Sequence, residues 1–589
     1  MRSLWVITVL IVAVASADDP LTEPPITDSE RDHWAFHPLS RPMLPAVRDA
    51  NWCRTAIDRF ILARLEKEGL TPAAEADRAT LLRRVCFDLT GLPPSLEMQD
   101  EVAADDSPDW YERLVDQLLA SPSYGERWAQ HWLDVSRFAE TDGYEHDHVR
   151  PNAWRFRDWV IEAHNRDLPL NEFIGQQLAG DELRPGEESA LIATGFLFCG
   201  PDMPDINLQE ERRHTFLNDM TATIGSVFLG LQMGCAACHD HKYDPISQAD
   251  FYRLRACLDV EPLFETHPQF GQVMREKSPK APVSRLAIRG DFRRPGPNVE
   301  AAFPRIANLS NDAIAAPSSD AKTTGRRTAL ANWLTRTDNP LTTRVLVNRI
   351  WQGHFGLGLV GTPSDFGVMG GTPTHPELLD WLATELPRLG WSRKRLHRLI
   401  VTSATYRQAS FPRRRLDGEA IRDALLTASG QLNRQAGGPG FRPPLPNEVV
   451  RTLLKDQWPV TANSAEHRRR SVYLFARRNL RYPLFEAFDK PDANASCPRR
   501  NVSTIAPQSL LLLNGDDSLA AATELAKLIE TQSGSDRDAA IQLAYRRILN
   551  RQPTSEERRA ASEFLQNSNS TLADLCLALF NVNEFVYVD

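Results

Sequence analysis

The clearest structural pattern in this chain lies at residues 216–239, which read FLNDMTATIGSVFLGLQMGCAACH. Its apolar side chains recur at intervals of three and four residues, the period of one face of an α-helix. These side chains are Phe216, Met220, Thr223, Ile224, Val227 and Leu231. The pattern leads directly into a Cys-x-x-Cys-His motif at residues 235–239. We therefore expect an amphipathic helix that presents this motif at its end.

The same period recurs along most of the chain. It predicts helices from Thr55 to Gly69 and from Asp77 to Gly91, with Ser107-Pro108 as the start of a third. Further helical patterns cover residues 128–135, 154–163, 327–334, 344–351, 377–386, 394–402, 416–432, 520–529, 538–548 and 556–565. Only Leu286–Ile288 and Ser471–Phe475 resemble strands. The predicted fold class is mainly α, a multi-helical two-domain protein with a few short strands and an irregular central linker.

Composition divides the mature chain into four parts. Residues 18–50 are rich in proline and predict an extended lead-in, and residues 51–261 predict a helical domain. Residues 262–325 are rich in proline, glycine and charge, which is typical of a linker with a short β segment. Residues 326–589 predict a second helical domain.

Residues 1–17 have the organisation of a cleavable signal peptide. Arg2 precedes an apolar run from Leu4 to Val14, and Ala15-Ser16-Ala17 offers the small-x-small cleavage pattern. The alternative is a retained membrane anchor, for which the run is short. We expect a periplasmic or secreted protein with no membrane span after signal cleavage.

Overall charge bears on the class of partner. The chain of 589 residues has a formal net charge of −9, which disfavours nucleic acid as a partner.

Six of its eight cysteines lie outside the motif. An oxidising compartment permits disulfides among them, but spacing cannot assign the pairing.

The Cys235-Ala-Ala-Cys238-His239 motif predicts covalently attached haem c. Two thiols three positions apart can add to the two vinyl groups of haem, and the adjacent His239 is then the axial ligand of the iron. Export favours this interpretation, because such attachment takes place outside the cytoplasm. The second axial ligand stays open among Met220, Met233, His131, His146, His148 and His214.

Other interpretations of the motif remain. The two cysteines could form a redox disulfide, although a thioredoxin-like site follows a strand rather than a helix. Zinc or non-haem iron could be held by Cys235, Cys238 and His241, or by His239, His241 and Asp244. A structural role without any cofactor is the third alternative.

Two polar stretches outside the motif are weaker candidates. Residues 137–148 contain the catalytic or substrate-binding candidates Glu140, Asp142, Tyr144 and His146, or else form a helix-to-loop junction with Gly143 as the cap. The basic groups at 467–470, 477–481 and 499–500 could bind an anionic polysaccharide, or pair internally with acids.

Longer phrases give the chain a family resemblance. They are Trp34-Ala-Phe36, Ile57-Asp-Arg-Phe-Ile61, Asp88-Leu-Thr-Gly-Leu-Pro-Pro94, Tyr124-Gly-Glu-Arg-Trp128, Glu140-Thr-Asp-Gly-Tyr144, Cys235–Pro245, Arg349-Ile-Trp351, Thr362-Pro-Ser-Asp-Phe-Gly367, Thr374–Trp381 and Ser403-Ala-Thr-Tyr-Arg-Gln408. Together they resemble the planctomycete-type cytochrome-c-associated proteins built from two domains of unknown function, DUF1549 followed by DUF1553. The resemblance implies an exported protein. Many relatives carry a separate haem domain, so here Cys235, Cys238 and His239 would hold the haem alone.

The predicted function is an exported monohaem c-type redox protein. It would transfer electrons to a redox partner or oxidise an extracytoplasmic substrate, such as an anionic polysaccharide. The first alternative is a non-haem metal-binding protein or metal-assisted hydrolase that uses the His-Asp-His cluster. The second is a structural or carbohydrate-binding protein of the cell envelope.

Overall fold

The computed structural model describes residues 23–454 and 456–589. The predicted signal peptide at residues 1–17 lies outside them. The described residues form twenty-five α-helices and six strands of two to four residues, so the prediction of a mainly α protein is confirmed.

The lead-in and the N-terminal half (residues 51–261) contribute the first eleven helices. They are α1 (Asp28–Arg31), α2 (Ala56–Lys67), α3 (Arg78–Thr90), α4 (Leu96–Ala104), α5 (Trp110–Ala120), α6 (Pro122–Ser136), α7 (Trp154–Asn165), α8 (Leu170–Leu183), α9 (Glu188–Ala193), α10 (Gln209–Ile224) and α11 (Gln248–Ala256).

Local signals explain where these helices begin and end. The Asp77 side chain accepts the Thr80 N–H at the start of α3, and Gly91 ends the helix with φ +67°. Helix α2 begins directly after Thr55, where its helical pattern was predicted to start, and a capping box joins Thr55 and Asp58. The predicted start at Ser107 is wrong, because α5 begins at Trp110 and the Asp105 side chain accepts the N–H of Ser107 instead.

The central segment, residues 262–325, is irregular. It contains two antiparallel hairpins, formed by β1 (Thr266–His267) with β2 (Gly271–Gln272) and by β3 (Arg285–Ala287) with β4 (Pro295–Asn298). The predicted strand at 286–288 is therefore present, but it ends one residue early. The chain turns there because Arg289 takes a left-handed conformation, with φ +56°.

The C-terminal half (residues 326–589) contributes fourteen helices and one two-stranded antiparallel sheet. The helices are α12 (Arg326–Leu334), α13 (Thr342–Phe355), α14 (Pro376–Arg388), α15 (Arg393–Val401), α16 (Ala404–Arg407), α17 (Gly418–Ala428), α18 (Asn447–Val450), α19 (Pro483–Ala487), α20 (Ala506–Asn514), α21 (Asp516–Ser533), α22 (Arg537–Ile548), α23 (Ser555–Gln566), α24 (Leu572–Phe580) and α25 (Asn583–Val586). Strand β5 (Arg414–Arg415) pairs with β6 (Tyr587–Val588).

The predicted strand at Ser471–Phe475 is wrong. Residues Ser471–Tyr473 form a 3-10 turn, because the Asp423 carboxylate accepts both the backbone N–H and the hydroxyl of Ser471. Within residues 471–475, Leu474 makes one isolated strand-like bridge, which pairs it with Phe441. Five alternating residues could not reveal this competing side-chain partner.

The two halves share one hydrophobic cluster, which runs from Ala35 to Val588. Buried ion pairs cross between them. Arg470 joins Glu126 of α6 to Asp423 of α17, and Arg500 joins Asp134 of α6 to Glu419. Between residues 23 and 454, and between 456 and 589, no helix is long and apolar enough to span a membrane.

Candidate functional site

The Cys-x-x-Cys-His motif lies in the Cys-His loop, which we define as residues 233–247. Helix α10 continues through a π turn at Gly225–Leu229 and ends at Gly230, with φ +61°. The loop then begins with a 3-10 turn, Met233–Ala237. Met233 and Ala236 are fully buried and anchor this turn in the core, so Cys235 and Cys238 emerge at the surface.

Both motif thiols are accessible. Cys235 and Cys238 are exposed and unpaired, and all eight cysteines are free, so no disulfide forms. Gly290 lies against Cys238, since a Cβ built on Gly290 would be 2.4 Å from the Cys238 Sγ. Only a glycine permits this close approach, and its φ of +75° suits glycine as well.

The His239 imidazole is exposed and held by one hydrogen bond. Its Nδ1–H donates to the Asp240 carbonyl at 2.8 Å, which leaves Nε2 as the nitrogen with a free lone pair. A histidine that binds a metal through Nε2 characteristically donates its Nδ1–H to such an acceptor. The donor set therefore fits an iron ligand at His239.

Helix α11 fixes the backbone of the loop. Gln248 donates its N–H to the Asp240 carboxylate at 2.7 Å and its side-chain amide to the Ala237 carbonyl at 3.1 Å. The Tyr252 hydroxyl donates to the same carbonyl at 3.0 Å. Three bonds thus hold the turn that carries the two thiols.

His239, His241 and Asp244 do not form a ligand set as they stand. The Nδ1 of His241 accepts the Asp244 N–H at 2.9 Å, so its lone pair is occupied. Asp244 is buried and accepts the Val368 N–H at 2.7 Å. Among the residues that the structure describes, no group of three or more His, Cys, Asp or Glu side chains is arranged to hold a metal ion.

A second loop covers the Cys-His loop from the C-terminal half. We call residues 362–368 the aspartate loop. The Phe366 N–H donates to the Gly230 carbonyl at 2.7 Å, and the Gln232 side chain donates to the Ser364 carbonyl at 2.8 Å. Together with the bond from Val368 to Asp244, these contacts join two stretches that lie far apart in sequence.

Asp365 brings a second carboxylate to this junction. Burial raises its pKa, the Asp244 carboxylate adds to the rise, and His241 and His33 oppose it. His33 also donates its Nε2–H to the Phe366 carbonyl at 2.9 Å, and Trp34 packs on the Phe366 ring. The lead-in, the Cys-His loop and the aspartate loop therefore meet at one place.

Of the six candidate axial ligands, Met233 lies within the Cys-His loop itself, where it is fully buried. His214 lies on α10, and its Nε2 accepts an N–H of the Asn218 side chain at 2.9 Å. Burial is the main reason that its pKa is lowered to about 4. Met220 and Met233 are buried in the core, whereas His146 and His148 are exposed and stack on each other.

A cleft of about 330 Å³ adjoins the Cys-His loop. Tyr252 lines this cleft and also binds the loop carbonyl of Ala237. Leu286 and Phe292 give it apolar walls. Its basic lining residues are Arg213, Arg255, Arg285 and His214, and its acidic ones are Glu210 and Asp259. Arg213 is paired with Asp259 at 2.5 Å.

The segment at residues 137–148 combines buried, hydrogen-bonded side chains with exposed ones. Glu140 is buried and accepts the Ala476 N–H, and Asp142 accepts the Arg150 Nε–H at 2.5 Å. Tyr144 and His146 are exposed at the tip of the same loop. These four candidates therefore point to different surroundings and do not meet as one site.

Gly143 is not the helix cap that the sequence suggested. Helix α6 ends at Ser136, and Arg137 takes the left-handed capping conformation with φ +64°. Gly143 lies in the following loop, which an isolated bridge between Thr141 and Val149 closes.

Most of the C-terminal basic residues pair internally. Arg469, Arg470, Arg477 and Arg478 are buried and donate to carboxylates or carbonyls of the chain. Arg499 is exposed. The interpretation of these groups as internal partners is thus correct for the buried ones, and binding of a polysaccharide stays a prediction.

Sequence reasoning missed the residues that support the Cys-His loop from elsewhere. They are Gly290, Asp365 and Val368. The phrase Thr362-Pro-Ser-Asp-Phe-Gly367 was visible as a family motif, but nothing local indicated that it contacts Asp244.

Comparison with protein families finds two matches in this chain. Residues 56–261 match PSCyt2, a protein of unknown function (DUF1549), and residues 326–565 match PSD1, a protein of unknown function (DUF1553). Searches of curated proteins and of solved structures gave no significant match.

Proposed function

We propose that this chain, which belongs to the family of proteins that join a DUF1549 domain to a DUF1553 domain, is an exported monohaem c-type redox protein. One observation carries the proposal. Two exposed, unpaired thiols and an imidazole with a free Nε2 lie within five residues of one anchored loop.

The proposed roles follow from the geometry of the loop. Cys235 and Cys238 would form the two thioether links, and His239 would be the axial ligand through Nε2. Asp240 would keep the His239 ring in the required tautomer through its carbonyl. The bound haem would supply one-electron redox chemistry.

The cleft beside the loop supports the same proposal. Arg255 and Arg285 of this cleft could pair with the two carboxylates of a porphyrin, and its apolar residues could contact the ring. Cys235 and Cys238 themselves lie at the surface. We therefore propose a haem that is attached at an open edge, where a redox partner or an extracytoplasmic substrate can approach it.

The experiment is a visible spectrum of protein made with a c-type maturation system. We expect a reduced α-band that survives denaturation, because thioether links are covalent. The variant Cys235→Ala/Cys238→Ala should lose the band entirely. Cys53→Ser, which changes a half-buried free cysteine elsewhere, should keep it.

Two other results would each overturn the proposal. Stoichiometric zinc or iron without a haem spectrum would favour the non-haem metal alternative. Absence of both haem and metal would favour a structural or carbohydrate-binding role.

A further inference from the structure

A deep cavity of about 750 Å³ lies between the two halves of the molecule, and we call it the interdomain cavity. Helices α3 and α6 line one side, and α13 and α15 line the other. Its indole walls are Trp128, Trp132 and Trp351. It reaches the surface at Leu357 and Val502, which are 60% and 66% exposed. The volume is that of a site for a small organic molecule.

A row of three buried side chains leads to this cavity. Asp88 accepts the Tyr406 hydroxyl at 2.7 Å and an Arg414 N–H at 2.6 Å. The Nδ1 of His354 lies 3.7 Å from the Asp88 Oδ2, and its Nε2 lies 2.7 Å from the Nδ1 of His397. Asp88 and His397 both line the cavity, whereas His354 lies between them outside the lining.

Both imidazoles are neutral at pH 7. Burial lowers the pKa of His354, although Asp88 opposes the fall, and burial lowers the pKa of His397 still further. With Asp88 ionised, the His354 Nδ1–H faces the carboxylate and its Nε2 accepts from the His397 Nδ1–H. The Nε2 of His397 is then a hydrogen-bond acceptor, and it is fully buried without a partner among the described residues.

Arg393 lies one helical turn before His397, on the same face of α15. It is 3% exposed and donates to the carbonyls of Ala163 and Leu168. Its Nε and Nη1 have no partner among the residues described. Burial lowers its pKa to about 10, so the guanidinium remains charged at neutral pH.

The lining of the cavity carries excess positive charge. Its three aspartates are each paired with an arginine of the same lining, Asp88 with Arg414, Asp134 with Arg500 and Asp417 with Arg127. Arg413 and Arg415 pair with Asp589 and Asp489. Within residues 23–454 and 456–589, Arg349, Arg393 and Arg499 have no carboxylate partner at salt-bridge distance.

We propose that the interdomain cavity binds a small ring-bearing organic carboxylate that also carries a hydroxyl group. A buried guanidinium without a counter-ion is unfavourable, and an incoming carboxylate would supply that counter-ion at Arg393 or Arg349. Arg499, the exposed arginine of the same lining without a carboxylate partner, would be a further cationic partner of the bound acid. The ring would pack on Trp128, whose own ring is tilted against that of His397 with 3.9 Å between centroids. The ligand hydroxyl would donate to the His397 Nε2. This site is separate from the Cys-His loop and goes beyond the redox role.

Two ligand sources share this chemistry, namely a uronic acid and a hydroxy-aromatic acid. The test titrates the full chain with D-glucuronate, 4-hydroxybenzoate, glucose and phenol, and follows tryptophan fluorescence and heat. We expect one of the two acids to bind, and its neutral counterpart to bind at least tenfold more weakly, because a charge-assisted hydrogen bond is lost. The acid that binds identifies the source.

Variants locate the site. His397→Gln and Arg499→Gln should each weaken binding of the acid by about tenfold. Arg499 is exposed, so its variant remains informative even if His397→Gln fails to fold. Arg395→Gln, at an exposed position of α15 outside the lining, should bind with unchanged affinity.

Three outcomes would overturn the proposal. They are equal binding of acid and neutral counterpart, wild-type affinity in both variants, and failure of both acids to bind the folded chain. The variant Cys235→Ala/Cys238→Ala should bind the acid normally, so failure of the haem proposal and failure of this one are distinguishable.

Discussion

The Cys-His loop and the interdomain cavity place similar side chains in opposite environments. In the loop, Cys235, Cys238 and His239 are exposed and held by backbone hydrogen bonds. In the cavity, His354 and His397 are fully buried and held by Asp88 and by each other. The loop leaves its groups accessible to chemical attachment, whereas the cavity fixes the protonation state of its groups by excluding water.

The two sites also depend differently on the junction between the halves. The cavity exists only where α3 and α6 meet α13 and α15. The motif itself lies within one half, and hydrogen bonds from the backbone N–H of Val368 to Asp244 and of Phe366 to Gly230 join it to the aspartate loop. Perturbing the junction should therefore affect the cavity more than the Cys-His loop.

Among these variants, Arg470→Ala is expected to have the largest effect, which is a loss of folding stability at the junction between the halves. Arg470 is buried between Glu126 and Asp423, so its removal leaves two buried carboxylates without their partner. We expect a loss of about 3–5 kcal/mol in the free energy of unfolding, measured by urea denaturation. Arg481→Ala, which breaks a partly exposed pair with Glu486, should cost less than about 1 kcal/mol. Equal costs in the two variants would contradict the importance of the buried junction.

A second test uses pH. Burial lowers the pKa of His131 to about 3 and also lowers the pKa values of His164, His354 and His397. In the unfolded chain these imidazoles titrate near pH ~6.5. The unfolded state therefore binds more protons below that pH, and stability that is fully present above ~6.5 is lost as the pH falls.

The expected slope is up to about 1.4 kcal/mol per pH unit for each buried imidazole. Glu276, Asp134, Glu140 and Asp365 act in the opposite direction, because burial raises their pKa values. Six histidines act against these carboxyl groups, since burial also lowers the pKa values of His214 and His375. We expect the thermal midpoint to fall between pH ~6.5 and ~5. His131→Gln should reduce the slope of stability against pH by the contribution of one buried imidazole. An unchanged slope in that variant would contradict the lowered pKa of His131.

The smallest effect is expected at the glycine beside the thiols. In Gly290→Ala, the new Cβ would meet the Cys238 Sγ, and the left-handed backbone would be strained by about 1–2 kcal/mol. Gly69→Ala has a similar φ of +71° and open space around its Cβ, so it reports the strain alone. We expect Gly290→Ala to lower the yield of attached haem relative to Gly69→Ala. The same yield in both would show that contact with Cys238 is unimportant.

Short sequence patterns predicted correctly those elements whose positions are set by residues close to them in sequence. The helix before the motif, the end of α3 at Gly91 and the strand beginning near Leu286 follow from periodicity, capping and turn residues. The strand predicted at Ser471–Phe475 failed because a distant carboxylate, Asp423, competes for the Ser471 backbone. Such a competitor has no signature in a five-residue window.

The sites were predictable to different degrees. Cys235, Cys238 and His239 are adjacent in sequence, so their spacing alone indicates a shared chemistry. Asp88, His354 and His397 each lie in an ordinary helical pattern, and only the packing of α3, α13 and α15 brings them together. The support of Asp244 by Val368 was hidden for the same reason.

The central claim is that the Cys-His loop carries covalent haem. The most direct measurement is the reduced visible spectrum of the full chain, made with a c-type maturation system and then denatured. The account predicts an α-band that is retained after denaturation and is absent from Cys235→Ala/Cys238→Ala. A wild-type protein without that band after denaturation would contradict it.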